Sequence, residues 1–301
     1  MKNGLKTIGS IMLNEDNDKD ENNSYYVEMC IKDQQLILFE QVGWKYYYDL
    51  SYTDEYDEEK SKATTNVIIY NIEDKENPVF EKKIEQSGCY KSAKVKDDYL
   101  YFFTDYTTYR SNVPKVEGEE FNDAEERVIL KEDFSASLIA SIIDLKEKKV
   151  TDKIMIDSGA GLLYINENRI YSILSIAIDG EELRGIVELE YLENKIDYIG
   201  FTKIDEYLNE QTDMDERIGA CRFLRSYGDG MLLGIGYDLD EESGDRKSVR
   251  LTMFDIKDPT KVKEIASIEL SDCYYFAEEE NAVFVSEDKN LIETLEFSIE
   301  Y

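Results

Sequence analysis

Three long stretches of the sequence separate strand-like runs, and aromatic residues concentrate in the first two of them. These stretches cover residues 43–64, 105–136 and 239–249. The residues of the first two stretches that we predict to contact a ligand are Trp44, Tyr46, Tyr47, Tyr48, Tyr52, Tyr106, Tyr109 and Arg110. Tyr and Trp offer a large contact area, and acidic neighbours such as Asp49 and Asp54 add attraction for basic or hydroxylated ligands. The alternative is a solvated acidic loop that tolerates aromatic residues.

A second set of possible ligand-binding residues is a run of alternating acidic residues near the start of the chain. Asp16, Asp18 and Asp20 supply oxygen atoms at every second position, as a calcium loop does. Such a loop needs Gly at its sixth position and a carboxylate at its twelfth, but these positions hold Glu21 and Val27. A solvated turn is therefore favoured and no cofactor is predicted, with calcium as the alternative.

The sequence contains no His. This removes the commonest general base and every Ser-His or Cys-His nucleophile. The four cysteines, Cys30, Cys89, Cys221 and Cys273, are too widely spaced for a CxxC-type metal site. Cys89 and Cys273 occupy equivalent positions of an internal repeat, which favours buried free thiols that pack as small apolar side chains, with a disulfide as the alternative.

The chain is strongly acidic. Its 35 Lys and Arg residues stand against 67 Asp and Glu residues, for a formal net charge of −32. Such a surface repels phosphate backbones and anionic headgroups, so partners among nucleic acids and anionic membranes are excluded. The apolar runs have the length of strands rather than of membrane spans, which excludes membrane insertion, and no signal peptide is visible.

The elements that must position these residues recur along the chain. Residues 67–79 (VIIYNIEDKENPV) and residues 251–262 (LTMFDIKDPTKV) nearly match. A triplet of small or aromatic residues also recurs before pairs of apolar runs, ending at Tyr26, Cys89, Ala160, Ala220 and Cys273. Short β-branched and aromatic runs between Asp, Asn and Gly turns are typical of strands, and four strands in about 40 to 70 residues are typical of a propeller blade.

We therefore predict an all-β fold, a single β-propeller domain built of four-stranded antiparallel blades. The five blades that we predict cover residues 5–74, 78–147, 150–194, 196–258 and 262–301. In this division the strand that precedes each triplet opens a blade, and the long insertions fall between the third and fourth strands. Such connections emerge on one face of stacked blades, so the insertions form the predicted binding surface.

Several segments resemble secreted bacterial and archaeal proteins that carry a C-terminal β-propeller domain and are distantly related to WD-repeat proteins. Residues 67–78 and 251–259 resemble the closing strand of that family. Residues 86–94 are similar to its Gly-x-Tyr-x-Ser-Arg strand, and residues 232–238 are similar to its Leu-x-Gly-Ile-Gly-x-Asp segment. The chain departs from the family at Asn71, where Asp is usual.

The resemblance implies a propeller fold and an extracellular or cell-envelope location, and it supplies no chemistry to inherit. The predicted function is a noncatalytic binding or interaction module whose partner is a protein, a peptide or a glycan. The alternative is a five-bladed-propeller glycoside hydrolase with an acid and a base carboxylate in its central funnel. Such enzymes usually carry an Asp in the first strand, but residues 5–13 contain no carboxylate, which favours the binding module.

Overall fold

The computed structural model shows an all-β chain. It describes residues 7, 9–11, 24–43, 63–107, 113–122, 125–130, 136–157, 163–166, 168–178, 181–205, 223–227, 230–239, 246–258, 262–270, 283–286 and 291–294. Within these ranges every helix or strand is a β-strand. None of the residues that the structure describes belongs to a helix that could cross a membrane.

The strands form five antiparallel sheets. Sheet 1 contains β1 (Ser24–Lys32), β2 (Gln35–Val42), β3 (Thr64–Asn71) and β4 (Val79–Ser87). Sheet 2 contains β5 (Cys89–Lys96), β6 (Tyr99–Thr107), β8 (Ala136–Asp144) and β9 (Lys149–Asp157), with the short β7 (Arg127–Ile129) beyond β9. Sheet 3 contains β10 (Leu163–Asn166), β11 (Arg169–Ile178), β12 (Glu181–Leu192) and β13 (Lys195–Asp205). Sheet 4 contains β14 (Phe223–Ser226), β15 (Met231–Leu239), β16 (Arg246–Asp255) and β17 (Lys263–Leu270), and sheet 5 contains β18 (Val283–Ser286) and β19 (Leu291–Thr294).

The hairpin turns follow from their residue types. Four residues in the turns between consecutive strands have φ between 52° and 54°, in the left-handed region. They are Asp33, Asp97, Lys148 and Glu193. Asp tolerates this region better than most residues because its short polar side chain bonds locally. The turns at Asp33 and Asp97 agree with the expectation that Asp, Asn and Gly form the turns between strands.

Blade membership differs from the sequence prediction by one strand. Residues 79–87 were expected to open the second blade, but β4 pairs with β3, with Val67 opposite Ile84. A short turn joins these two strands, so pairing them requires no long crossover. The chain leaves sheet 1 at Gly88, within a recurring triplet. The triplets at residues 87–89, 158–160 and 271–273 therefore mark the ends of sheets 1, 2 and 4, because β4, β9 and β17 end at or directly before them.

The match between residues 67–79 and residues 251–262 is confirmed as structural equivalence. Tyr70 and Phe254 both lie on the third strand of a sheet, and each directly follows a register shift in the pairing with the fourth strand. Sheet 2 has the same irregularity at Ile142 and Ile143. The packing of the two aromatic residues differs, because Phe254 is buried in an apolar cluster whereas Tyr70 is half-buried and contacts Phe80 edge to face.

The chain divides into two compact units. Unit 1 consists of Met1–Val128, Phe134–Asp157 and Glu193–Lys195 and holds sheets 1 and 2. Unit 2 consists of Ile129–Asp133, Ser158–Leu192 and Ile196–Tyr301 and holds sheets 3, 4 and 5.

In unit 1, sheets 1 and 2 pack against each other through an apolar core. Its buried members are Ile37, Phe39, Val67, Ile69 and Ile84 of sheet 1 with Leu100, Phe102 and Ile143 of sheet 2 and Leu145 of the turn after β8. The Phe39 ring lies 5.3 Å from that of Tyr90 and 5.7 Å from that of Phe102, measured between centroids. Removing a buried ring of this size typically costs about 3 to 5 kcal/mol, so this cluster fixes the stacking of the two sheets.

In unit 2, sheets 3 and 4 share a smaller cluster. Its buried members are Tyr171, Ile186, Leu224, Leu232, Phe254 and Val262. The other face of sheet 4 carries a separate cluster of Leu233, Ile235, Tyr237 and Val249. Sheet 4 is thus apolar on both faces, as expected for a sheet within a stack.

Candidate functional site: the insertion rim

In unit 1, two of the predicted insertions meet sheets 1 and 2 at the same place, the turn at Gly88. The Gly88 N–H donates a hydrogen bond to the carbonyl oxygen of Ala63, at the end of the first insertion, over 2.7 Å. A Cβ at Gly88 would lie 2.7 Å from the carbonyl oxygen of Asp105, near the start of the second insertion. The φ of Gly88 is +103°, so this close approach requires Gly. We call this region, formed by Gln41, Ala63, Thr65, Gly88 and Asp105, the insertion rim.

A buried Gln41 side chain fixes the base of the first insertion. Its Nε2 donates to the carbonyl oxygens of Val42 and Thr64, both over 3.3 Å. Its Oε1 accepts from Thr65 Oγ1 over 3.1 Å and from the Tyr90 N–H over 2.7 Å. Because Gln41 is only 1% exposed, these bonds form in a low-dielectric setting where loss of any one is costly. The ends of β2 and β3 are thereby held to the start of β5.

A second buried amide, Gln86, joins the two sheets next to the rim. Its Nε2 donates to Thr104 Oγ1 over 2.9 Å, and its Oε1 accepts from Ser141 Oγ over 2.6 Å. Thr104 Oγ1 in turn donates to the carbonyl oxygen of Ser87 over 2.6 Å. The network connects the last strand of sheet 1 to two strands of sheet 2, so the rim is a rigid platform.

Burial raises the pKa values of ionisable groups at and near the insertion rim. Burial raises the pKa of Asp105, against the attraction of Lys91, and in the described part of the chain its Oδ1 has no hydrogen-bond partner. Burial and then the charge of Asp105 raise the pKa of the opposed Cys89 thiol to about 12. Cys30 is also a free thiol, and burial raises its pKa to about 11. Both thiols are therefore protonated at neutral pH and are poor nucleophiles.

Part of the second insertion folds back onto sheet 1. The Ser87 N–H donates to the Lys115 carbonyl oxygen over 2.9 Å, and the Glu117 N–H donates to that of Glu85 over 2.8 Å. Lys82 Nζ lies 2.6 Å from a carboxylate oxygen of Glu117. Residues 113–122, which we call the cap, therefore add a short strand to the outer edge of β4.

The cap corrects the prediction for Tyr106. The sequence suggests that the second insertion begins at Asp105, but β6 continues to Thr107 and Tyr106 is only 7% exposed. Its ring packs with Val116 of the cap and with Ile139 and Met155 of sheet 2. Tyr106 thus fills an apolar core and has no surface to offer a ligand. The sequence feature that could have indicated this burial is the alternation of Leu100, Phe102 and Tyr106, which places all three side chains on one face of the strand.

The other predicted site residues lie outside the residues that the structure describes. They are Trp44, Tyr46, Tyr47, Tyr48, Tyr52, Tyr109 and Arg110 for ligand contact, and Asp16, Asp18 and Asp20 for calcium. Among the residues that are described, no group of three or more acidic or Cys side chains could hold a metal ion.

Unit 2 contains a buried carboxylate that the sequence does not single out. Glu188 is 1% exposed and lies opposite Tyr171 on β11. Arg169 holds it with a nitrogen–oxygen distance of 2.6 Å and also binds Glu190 over 2.9 Å. Burial raises the pKa of Glu188 to about 7, against the attraction of Arg169. Within the described residues its Oε2 makes no hydrogen bond. The sequence feature that could have indicated this buried carboxylate is a charged residue within the apolar run of residues 186–189.

Comparisons with known proteins agree with this architecture. The family model described as a beta propeller domain matches residues 3–223 and 218–298. The chain therefore belongs to the β-propeller domain family, and the predicted all-β fold of four-stranded antiparallel blades is confirmed. A comparison with curated proteins gave no match.

Among solved structures, the chain is similar to an acylaminoacyl peptidase from Pyrococcus horikoshii, in an orthorhombic crystal form. The sequence identity is 11% and the TM-score is 0.29. The match covers 81% of this chain and 46% of the peptidase chain, so the chain spans less than half the length of that enzyme.

Proposed function

We propose that this β-propeller protein is a noncatalytic binding module whose insertion rim carries the contact residues for a protein, peptide or glycan. The observation that supports the proposal is the common origin of two insertions at Gly88. The first insertion contains Trp44 and Tyr47 and the second contains Tyr109, and both begin or end within contact distance of this one residue.

The physical argument rests on a rigid base that carries aromatic contact residues. Binding residues are often found on loops that a rigid scaffold positions. The buried side chains of Gln41 and Gln86 supply that scaffold through hydrogen bonds. Aromatic side chains at such positions bury a large area and commonly dominate binding energies.

The buried carboxylate in unit 2 is unsuited to the hydrolase alternative. A carboxyl group with a pKa near 7 is what a general acid needs, and Glu188 has that property. However, Glu188 is only 1% exposed and is held by Arg169, so a glycosidic oxygen has no access to it. Its ionisation is instead a property of the unit 2 interior.

The test is a triple variant, Trp44→Ala, Tyr47→Ala and Tyr109→Ala, compared with the wild-type protein on glycan and peptide arrays. We expect an unchanged Tm and at least a tenfold loss of affinity for whatever the wild-type protein binds, since a central aromatic residue commonly contributes about 2 kcal/mol or more. Phe80→Ala is the matched control, because Phe80 is an exposed aromatic residue on β4 and lies outside the rim.

Three results would contradict the proposal. Unfolding of the triple variant would show that these side chains belong to a core. A folded variant with unchanged binding would move the contact surface elsewhere. Turnover of a glycoside panel that disappears on replacement of one carboxylate would establish an enzyme.

The proposal includes an extracellular or cell-envelope location, which is supported by the family resemblance alone. Fractionation of the source cells with an antibody against the protein would test it, and recovery in the cytosolic fraction would contradict it.

A further inference from the structure

The outer strand of sheet 4, β17, is exposed along nearly its whole length. Seven of its eight residues are exposed, and its side chains include Ile265 at 53% and Ile268 at 58% exposure. One edge of β17 pairs with β16, and no described strand pairs with the other edge. A long exposed edge strand is a template for another strand.

One face of β17 is acidic. Glu264, Ser267 and Glu269 lie on this face, together with Arg250 of β16. Arg250 lies 3.3 Å from Glu264 and donates to Ser267 Oγ over 3.2 Å, while Glu269 accepts from Ser248 Oγ over 2.8 Å. Arg250 thus pairs with Glu264, while Glu269 adds a second carboxylate to the same face.

The other face of β17 is apolar and extends an existing cluster. Ile235, Leu251 and Ile268 are aligned across three strands, and Leu270 packs against the same cluster. This apolar row ends at Ile268, on the exposed edge. A strand added there would place its alternate side chains beside Ile268 on one face and beside the two carboxylates on the other.

The outer edges of sheets 1 and 2 show which kind of segment pairs with the edge of an outer strand. The edge of β4 pairs with the cap, whose Val116 is 1% exposed and whose Glu117 bonds Lys82. The edge of β9 pairs with β7, where Arg127 bonds Asp157 over 2.5 Å. In both cases an extended segment combines a β-branched residue with a charged residue that pairs with an opposite charge on the edge strand.

We propose that β17 binds an extended segment of a partner protein as an added strand, and that this segment alternates Lys or Arg with Val or Ile. The basic residues complement Glu264 and Glu269, and the β-branched residues continue the row of Ile268. A second copy of this chain is disfavoured as the occupant because each copy carries a net charge of −32. This surface goes beyond the rim and involves none of its residues.

The test uses synthetic peptides of about eight residues, a common strand length. One alternates Lys and Val, a second alternates Glu and Val, and a third is the Lys-Val peptide N-methylated at alternate amides. We expect the Lys-Val peptide to bind in a fluorescence anisotropy titration and to slow hydrogen exchange of residues 263–270. The N-methylated peptide should bind at least about tenfold more weakly because it cannot complete the strand pairing.

Two variants locate the peptide on β17. Glu264→Lys with Glu269→Lys should weaken Lys-Val binding at least about tenfold and admit the Glu-Val peptide, and Ile268→Ser should weaken binding about threefold or more. The matched control, Glu73→Lys with Glu147→Lys, makes the same change in net charge at exposed turn residues. It should alter the affinity by less than about threefold.

Equal losses in the charge-reversed variant and its control would overturn the proposal, because attraction would then be unspecific. So would an absence of Lys-Val binding, tighter binding of the Glu-Val peptide to the wild-type protein, or a dimer that Ile268→Ser dissociates in light-scattering measurements. The rim is tested separately, since the Trp44, Tyr47 and Tyr109 variant should keep its affinity for the Lys-Val peptide. Loss of array binding alone bears on the rim, and loss of peptide binding alone bears on β17.

Discussion

The outer strands β4 and β17 hold the same place in sheets of the same topology, yet one is covered and the other is exposed. Ile84 on β4 is 0% exposed and Ile268 on β17 is 58% exposed, although each lies opposite an aligned residue of the third strand. On β4, the cap adds hydrogen bonds along the free edge, and sheet 2 covers the inner face. The difference shows that a repeated strand acquires its role from what lies next to it.

The largest expected effect comes from placing a charge in the covered edge. Val116→Asp should lower the free energy of unfolding of unit 1 by about 3 kcal/mol or more, because it buries an unpaired carboxylate. The same change at Ile268 on β17 should cost less than about 1 kcal/mol, since that side chain is in water. Urea denaturation of the two variants checks the contrast, and equal losses would refute it.

The second effect concerns the buried carboxylates of the two units. In unit 1, Asp157 is bonded by Arg127 and Ser137, whereas in unit 2 Glu188 has one oxygen without a hydrogen bond among the described residues. The raised pKa of Glu188, about 7 against an ordinary 4.5, means that its contribution to stability is complete below about pH 4.5. That contribution is lost as the pH rises through about 7.

Glu188→Gln should remove this pH dependence. Between pH 5 and pH 8 the wild-type protein should lose on the order of 2 kcal/mol of stability relative to the variant, while Glu190 keeps Arg169 paired. Glu147→Gln, at an exposed turn position, is the control. Denaturation curves of wild type and Glu188→Gln that stay parallel across this pH range would contradict the prediction.

A smaller difference in stability is expected between removing the Thr104 hydroxyl, which makes hydrogen bonds, and removing the Thr252 hydroxyl. Thr104→Val breaks the bonds to Gln86 and Ser87 and should cost about 1 to 3 kcal/mol, because buried polar groups lose their partner. Thr252 is also buried, but in the described part of the chain its hydroxyl has no partner. Thr252→Val should therefore be neutral within about 0.5 kcal/mol or stabilising. Thermal denaturation would show whether the two substitutions differ in this direction.

The smallest effect is that of the ion pair between Lys82 and Glu117. Both side chains are about one-third exposed, so Lys82→Ala should lower stability by less than about 1 kcal/mol. The loss should shrink as salt is added, because the attraction is screened. Lys83→Ala, which removes the more exposed pair with Glu85, serves as the control and should have no effect on hydrogen exchange in the cap.

The candidate site was predictable only in part. The insertions could be located because acidic and aromatic residues interrupt apolar runs, and their boundaries were accurate at Val42 and Thr64. Tyr106 was misplaced because a buried ring at the end of a strand and an exposed ring at the start of a loop have the same local pattern. The roles of Gln41 and Gln86 could not be predicted, because a polar residue in a strand carries no sign of the partner that it meets across a sheet interface.

The sequence by itself determined most of the strands, the repeat of four strands and the equivalence of the segments 67–79 and 251–262. These properties depend on alternation and turn residues within a few positions of each other. Only the tertiary structure decided that β4 closes sheet 1, that the cap covers its edge, that β17 stays exposed and that Glu188 ionises near neutral pH. Each of these depends on contacts between residues far apart in the chain, because pairing, burial and the local dielectric arise only when the sheets are stacked.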